Sequence, residues 1–171
     1  MNFDLISSVK KVIKMKIDVE EIKETLGAIK QVDLTIPFMD QEIQGRDVSF
    51  VEDVRFIGRA INSEDEFIVT SQVELRIKLP CSRCLEKFEM SLEFDYEAEF
   101  DKAEVEHDEL DLEESLLDHI TLAIPMKTVC REDCQGLCPS CGINLNEDSC
   151  DCMMHEVDPR LAKLEQLLDK E

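Results

Sequence analysis

No stretch of these 171 residues approaches the roughly 20 consecutive apolar residues that a bilayer span requires, so no membrane-spanning helix is expected. The amino-terminal stretch lacks an uninterrupted apolar run followed by small residues. That argues against a secretory leader and for a cytoplasmic location in which thiols stay reduced. Glycine is scarce, and no glycine-rich phosphate loop is present. There is no internal repeat, no low-complexity tract and no Ser/His/Asp constellation. His107 falls in an acidic stretch and His119 on a helix edge, neither with an evident catalytic partner. His155 lies three residues past Cys152, near enough to replace one cysteine as a ligand. The largest deficit is in cationic side chains: 19 Lys and Arg stand against 40 Asp and Glu, a formal net charge of −21. Nucleic-acid backbones are bound by Lys and Arg with release of counterions, so naked RNA is a poor partner for such a chain. The charge serves solubility, and it also suits a partner that is itself basic.

With 43% hydrophobic residues the chain has enough apolar mass for a core. Residues 1–14 read as an extension, with Phe3, Ile6, Val9 and Ile13 at helical spacing. Asp18 and Glu21 have capping-box spacing ahead of a short helix that Gly27 can terminate. Period-2 alternation then marks strands. Val32, Leu34, Ile36 and Phe38 make the first, and Val48, Phe50, Val54 and Phe56 line one face of the second. Phe67, Val69, Val73, Leu75, Ile77 and Leu79 mark the third. Phe88 to Phe100 form the fourth, with Glu89, Glu93, Asp95, Glu97 and Glu99 on its polar face. One wet and one dry face predict a curled antiparallel meander. An acidic loop at 101–111 leads to a helix from about Leu112 to Ile124, ended by Pro125. A final helix starts at Asp158 and Pro159 and carries Leu161, Leu164 and Leu168.

The eight cysteines carry the chemistry. Cys81 and Cys84 sit in Pro-Cys-Ser-Arg-Cys-Leu, at a predicted hairpin tip. Cys130 and Cys134 follow the helix, Cys138 and Cys141 sit in Cys-Pro-Ser-Cys-Gly, and Cys150 and Cys152 close the segment. A Cys-x-x-Cys turn lets two sulfurs reach one ion while backbone N–H groups face the thiolates. The segment from Cys130 to Cys152 has too little apolar content to fold unaided, so metal is expected to order it. Eight thiols make two complete tetrads, and two structural Zn2+ ions are expected. The preferred partition is Cys81, Cys84, Cys130 and Cys134 for one site, and Cys138, Cys141, Cys150 and Cys152 for the other, because the second closes a short loop. Crossed pairings, such as Cys81 and Cys84 with Cys138 and Cys141, remain open. A redox-active Cys-x-x-Cys is disfavoured, because Cys81 and Cys84 do not open a helix in a βαβ unit.

The order of these segments resembles a known family. Pro-Cys-Ser-Arg-Cys-Leu-Glu-Lys-Phe at 80–88, Leu-Asp-Leu at 110–112, the long run from Ile124 to Asn146, Cys-Asp-Cys at 150–152 and Asp-Pro-Arg at 158–160 are similar to the YceD proteins. These are the large ribosomal RNA subunit accumulation proteins. The resemblance covers Met15 to about Leu168 and supports reading 1–14 as an extension. Some relatives place His-x-His where this chain has Cys150 and Cys152, which favours those two as ligands.

The expected fold is therefore α+β: a curled antiparallel β-sheet with packed helices and a cysteine-rich zinc-binding C-terminal segment. Its expected divisions are an extension at 1–14, a sheet-and-helix domain at 15–125, the cysteine-rich segment at 126–157 and a helix at 158–171. The resemblance implies a ribosome biogenesis factor needed for accumulation or processing of 23S rRNA, acting by binding and not as an enzyme. The expected partner is a ribosomal precursor particle, met through a basic ribosomal protein or through rRNA, with no membrane and no small-molecule substrate. Arg55, Arg59, Arg76, Lys78 and Arg83 form a candidate basic strip for RNA. Rival readings are a thiol oxidoreductase, a zinc-dependent hydrolase, and zinc storage or delivery.

Overall fold

A computed structural model describes residues 15–152. The expected extension at 1–14, the final helix at 158–171 and His155 lie outside the described residues. The described chain divides into two compact units: residues 15–80 with Lys87–Thr128, and residues 81–86 with 129–152.

The first unit is built on two long strands. Strict alternation of apolar and polar residues makes β6 (Glu66–Pro80) and β7 (Lys87–Asp101) extended, and they pair antiparallel from Glu66↔Asp101 to Pro80↔Lys87 without a bulge. The opposite edge of β6 is shared. β5 (Val54–Asn62) pairs along it from Arg55↔Glu74 to Asn62↔Phe67, and β4 (Arg46–Phe50) takes Lys78 and Ile77. β4 and β5 were expected as one strand. Residues 51–53 bend between them, so that two extra residues lie opposite β6, as in a bulge. An even insertion returns the side chains to the same face, so Val48, Val54 and Phe56 are all buried as the alternation predicts. β2 (Ile29–Ile36) adds to β5, and β3 (Gln41–Ile43) adds to β4. The β3–β4 turn is Gln44-Gly45, both with positive φ (53° and 73°), the geometry that a two-residue hairpin demands.

Two expectations fail here. The sheet is not curled: the order β2-β5-β6-β4-β3 is open, its end strands do not pair, and the β6–β7 ladder has no bulge to bend it. Alternation reveals which residues face the core but does not determine how a sheet closes. The α+β class with packed helices is also overturned, because among the described residues the architecture is mostly β with a single α-helix, α1 (Glu113–Ala123). The helix expected after Asp18 is a run of turns. Asp18 accepts from Glu20 N in an Asx turn, and the carbonyls of Ile22, Lys23 and Thr25 all bond the Nδ2 of buried Asn62 (2.7, 3.0 and 3.0 Å). A side chain arriving from β5 takes acceptors that a helix would use internally.

β1 (Lys16–Asp18) and β8 (Glu109–Asp111) form a separate two-stranded ladder, with β8 at the end of the expected acidic loop. α1 lies where its apolar spacing puts it, with Leu116 and Ile120 buried. Tyr96 of β7 meets it, sharing a 2.6 Å hydrogen bond with Ser115 and setting its ring 4.7 Å from that of His119, tilted by 56°.

Candidate metal centre

The second unit begins where the β6–β7 ladder ends. Residues 81–86 make the connecting turn, and all eight cysteines belong to this unit. The turn is closed by Cys81 N donating to Glu86 O (2.9 Å) and Leu85 N donating to Cys81 O (3.0 Å). Arg83 locks it further. Its guanidinium donates to the carbonyls of Glu132 (3.2 Å) and Cys134 (2.8 Å), and its own carbonyl accepts from Leu137 N.

The sulfurs fall into two sets of four: Cys81, Cys84, Cys130 and Cys134, and then Cys138, Cys141, Cys150 and Cys152. Within each set all sulfurs lie within 4.8 Å of one another. This is the preferred partition, and the crossed pairing is not the one the fold assembles. In the first set Cys81 and Cys134 sulfurs stand 3.9 Å apart, and those of Cys84 and Cys130 3.8 Å apart. A tetrahedral thiolate site with metal–sulfur bonds of about 2.3 Å has sulfur–sulfur edges of about 3.8 Å. A disulfide would need about 2.05 Å, and all eight thiols are free. The residues present therefore fit a four-coordinate metal ion.

The electrostatics of both sets also suit a cation. Burial pushes the Cys81 thiol up, but the backbone N–H groups of Cys84, Arg83 and Cys130 outweigh it and bring its pKa down to about 6. At Cys138 the N–H groups of Cys141 and Ser140 do the same, again to about 6. Burial and the neighbouring Cys134 push Cys130 up to about 12, while Cys141 and Cys150 push Cys152 up to about 12. Each set thus pairs a thiol lowered toward the anion with others held up by burial and by their sulfur neighbours, an arrangement that a positive charge among them would relieve. The two sets differ in access. Cys81, Cys84 and Cys134 are buried in the first, whereas Cys141 is exposed and Cys150 and Cys152 half-buried in the second.

Sequence reading misplaced one residue and passed over another. Arg83 was assigned to the basic strip, but its guanidinium serves the cysteine unit. Asn146 was not singled out, yet its Nδ2 lies 3.5 Å from the Cys134 sulfur and its Oδ1 accepts from Gln135 N (2.8 Å). Its only sequence signal is its place within a cysteine-rich turn.

The rest of the strip lies in the first unit, interleaved with acids. Arg55 sits opposite Glu74, Lys78 opposite Glu89, and Arg76 Nε lies 3.5 Å from Glu52. Arg59 Nε donates to Thr70 Oγ1 at 3.4 Å. Glu93, Asp95, Glu97 and Glu99 line the exposed face of β7, where Glu93 stands directly opposite Glu74 and accepts from Gln72 at 2.7 Å. Among the described residues no helix is long and apolar enough to cross a membrane.

A family model described as large ribosomal RNA subunit accumulation protein YceD matches residues 69–168, from within β6 onward. The chain is 44% identical over 63 residues to uncharacterized proteins of Mycobacterium tuberculosis and Mycobacterium bovis, covering 36% of this chain and 30% of each of theirs. It is 42% identical over 50 residues to a Zea mays protein named large ribosomal RNA subunit accumulation protein YCED homolog 1, chloroplastic, covering 29% of this chain and 17% of that one. The chain thus spans about 30% of the length of the mycobacterial relatives it matches. No solved structure matches it.

Proposed function

The chain belongs to the YceD family of large ribosomal RNA subunit accumulation proteins, and from that premise we propose that it supports accumulation of large-subunit rRNA by binding a precursor particle in the cytoplasm. The family match carries the reading. The role is a binding role and not a catalytic one. Each cysteine set supplies four sulfurs, which fill the coordination of a tetrahedral ion and leave no open position for a substrate.

The ion is zinc, one per set. Four thiolates within 4.8 Å of one another, with two edges near 3.8 Å in the first set, suit it, and as a closed site it orders the chain around it instead of activating water. Cys81, Cys84, Cys130 and Cys134 hold the first ion, and Cys138, Cys141, Cys150 and Cys152 the second. The net charge of −21 and the acids opposite or beside Arg55, Lys78 and Arg76 favour a basic ribosomal protein over RNA as the direct contact.

The test is co-sedimentation of the purified, metal-loaded protein with large-subunit precursor particles at moderate salt, alongside depletion of the protein from cells. Association with the precursor and a fall in mature large-subunit rRNA are the expected results. Failure to associate, with rRNA levels unchanged on depletion, removes the reading.

A further inference from the structure

Among the described residues β7 is an edge strand: it pairs with β6 alone, over all 15 of its residues and without a bulge. Natural sheets keep their edges short, or break them with proline, lysine or bulges, because unpaired N–H and C=O groups invite another strand. From Phe88 to Asp101 β7 has no proline, no lysine and no bulge.

Two hydrogen bonds bracket the β6–β7 ladder, from Cys81 N to Glu86 O (2.9 Å) and from Lys102 N to Asp65 O (3.1 Å). Bonds alternate along an antiparallel ladder. The even-numbered residues of β7 therefore bond β6, and the odd-numbered ones turn their N–H and C=O to the free edge. β6 agrees: the carbonyls of Glu66 and Arg76, paired with Asp101 and Ser91, accept from Ser63 and Val51 instead. Over 93–101 the outward-turned residues are Glu93, Asp95, Glu97, Glu99 and Asp101, all exposed.

Charge decides what this edge accepts. No Lys or Arg occurs in 93–101 or in the paired stretch of β6 at 66–74, which adds Glu66 and Glu74. The surrounding cations are engaged or set back. Lys102 Nζ donates to the carbonyls of Ser63 and Glu64, and Lys16 is paired with Glu109 at 3.1 Å. Lys87 stands at the other end of β7, and Arg55 and Arg59 lie on β5 beyond β6, about 10 Å away at two strand spacings. A second copy is disfavoured. In an antiparallel pair of copies odd residues meet odd residues, and within 93–101 that sets acid against acid in every register. The same acids repel a phosphate backbone. On the opposite face Phe94, Ala98 and Phe100 are only partly buried, which leaves apolar surface for the alternate residues of an added strand.

We propose that the edge of β7 at 93–101 takes up an extended segment of a basic protein, with Lys or Arg at every second residue and apolar residues between. The inference rests on the basic partner proposed above and adds how that partner is held. Backbone bonds to the outward N–H and C=O groups supply the affinity, and the row of acids selects the sequence.

The experiment uses the full, zinc-loaded chain, a short probe peptide of alternating lysine and valine, and residue-resolved hydrogen exchange. In the free chain the amides of Asp95 and Glu97 should exchange at least about tenfold faster than those of Phe94 and Tyr96, and the peptide should slow them at least about tenfold. A peptide of alternating glutamate and valine should not, nor should the lysine peptide with the backbone nitrogens of its lysines methylated. Replacing Glu93, Asp95 and Glu97 with their amides should weaken the peptide about three- to tenfold. Slow exchange of Asp95 and Glu97 in the free chain means the edge is already filled and overturns the proposal. Equal binding of the methylated peptide reduces the contact to charge and overturns it too. Precursor rRNA that protects these amides where the peptide does not makes RNA the occupant and overturns the protein partner. Association with precursor particles that excess peptide leaves unchanged overturns strand addition while the proposed function stands. Peptide protection without particle association keeps strand addition and removes the large-subunit role.

Discussion

Asn146 lies in the loop between Cys141 and Cys150, yet its side-chain amide reaches the sulfur of Cys134 in the other set, at 3.5 Å. Its oxygen accepts from Arg131 Nη2 (2.9 Å) and from Gln135 N (2.8 Å). The loop of one set thus supports a ligand of the other. Burial raises the Cys134 thiol, but Asn146 and the N–H of Gly136 lower it on balance. Asn146→Ala should therefore weaken metal retention by the first set by about tenfold or more, the usual size of an outer-shell loss. Competition with a chromophoric chelator reads this directly. A loss confined to the second set would contradict the geometry.

Elemental analysis of protein purified without added metal should give about two zinc ions per chain. Replacing Cys138 and Cys141 with Ser should expose residues 129–152 to protease while β6 and β7 stay protected, because the strands bury their own apolar face. Cleavage within β6 at the same rate would mean that the sheet depends on the second set.

Metal uptake should depend on pH with a definite sign. At neutral pH the metal-free protein holds Cys81 and Cys138, both near 6, as thiolates, whereas Cys130 and Cys152, near 12, keep their protons. The first pair has no proton to release on binding metal, and the second must release its own. Affinity should therefore rise with pH, with fewer protons released than the eight thiols could supply. Calorimetry in buffers of different ionisation heat counts them. A full complement released would show that the turn N–H groups hold no thiolate.

At Gly58 a Cβ would overlap the carbonyl oxygen of Thr70 and the backbone of Ser71 on the neighbouring strand. Gly58→Ala should cost about 2 kcal/mol of stability, within the range of overpacked sites, as measured by denaturant unfolding. An unchanged midpoint would mean that β5 and β6 can separate there without loss.

On the polar face, Glu74 and Glu93 oppose each other directly. Replacing Glu93, Asp95 and Glu97 with their amides should raise stability by up to about 1 kcal/mol through relief of like charges and weaken association with a basic partner. Neutralising Arg55, Arg59 and Arg76 is the control. Loss of binding in the arginine variant alone would make RNA the contact.

Much of this was legible from local pattern. A period of two in β6 and β7 determines which side chains face the core, because alternate residues of any strand point to opposite sides. α1 was legible from Leu112, Leu116 and Ile120, and its end from Pro125. Spacing favoured the local grouping of Cys138, Cys141, Cys150 and Cys152, because a short loop brings thiols together at small entropic expense, but it left crossed pairings open; the fold decided that Cys81 and Cys84 meet Cys130 and Cys134. Sheet closure, the shared edge of β6 and the loss of the helix after Asp18 were decided by partners distant in sequence. Asn62 takes the carbonyls of Ile22, Lys23 and Thr25 from about forty residues away, which no local propensity encodes. The same holds for Arg83 and Asn146, whose roles depend on which backbone carbonyl or sulfur the fold brings within reach. The sequence determined the donors and their spacing; the tertiary structure decided which of them meet, because long-range hydrogen bonds and edge pairing depend on the whole arrangement of strands.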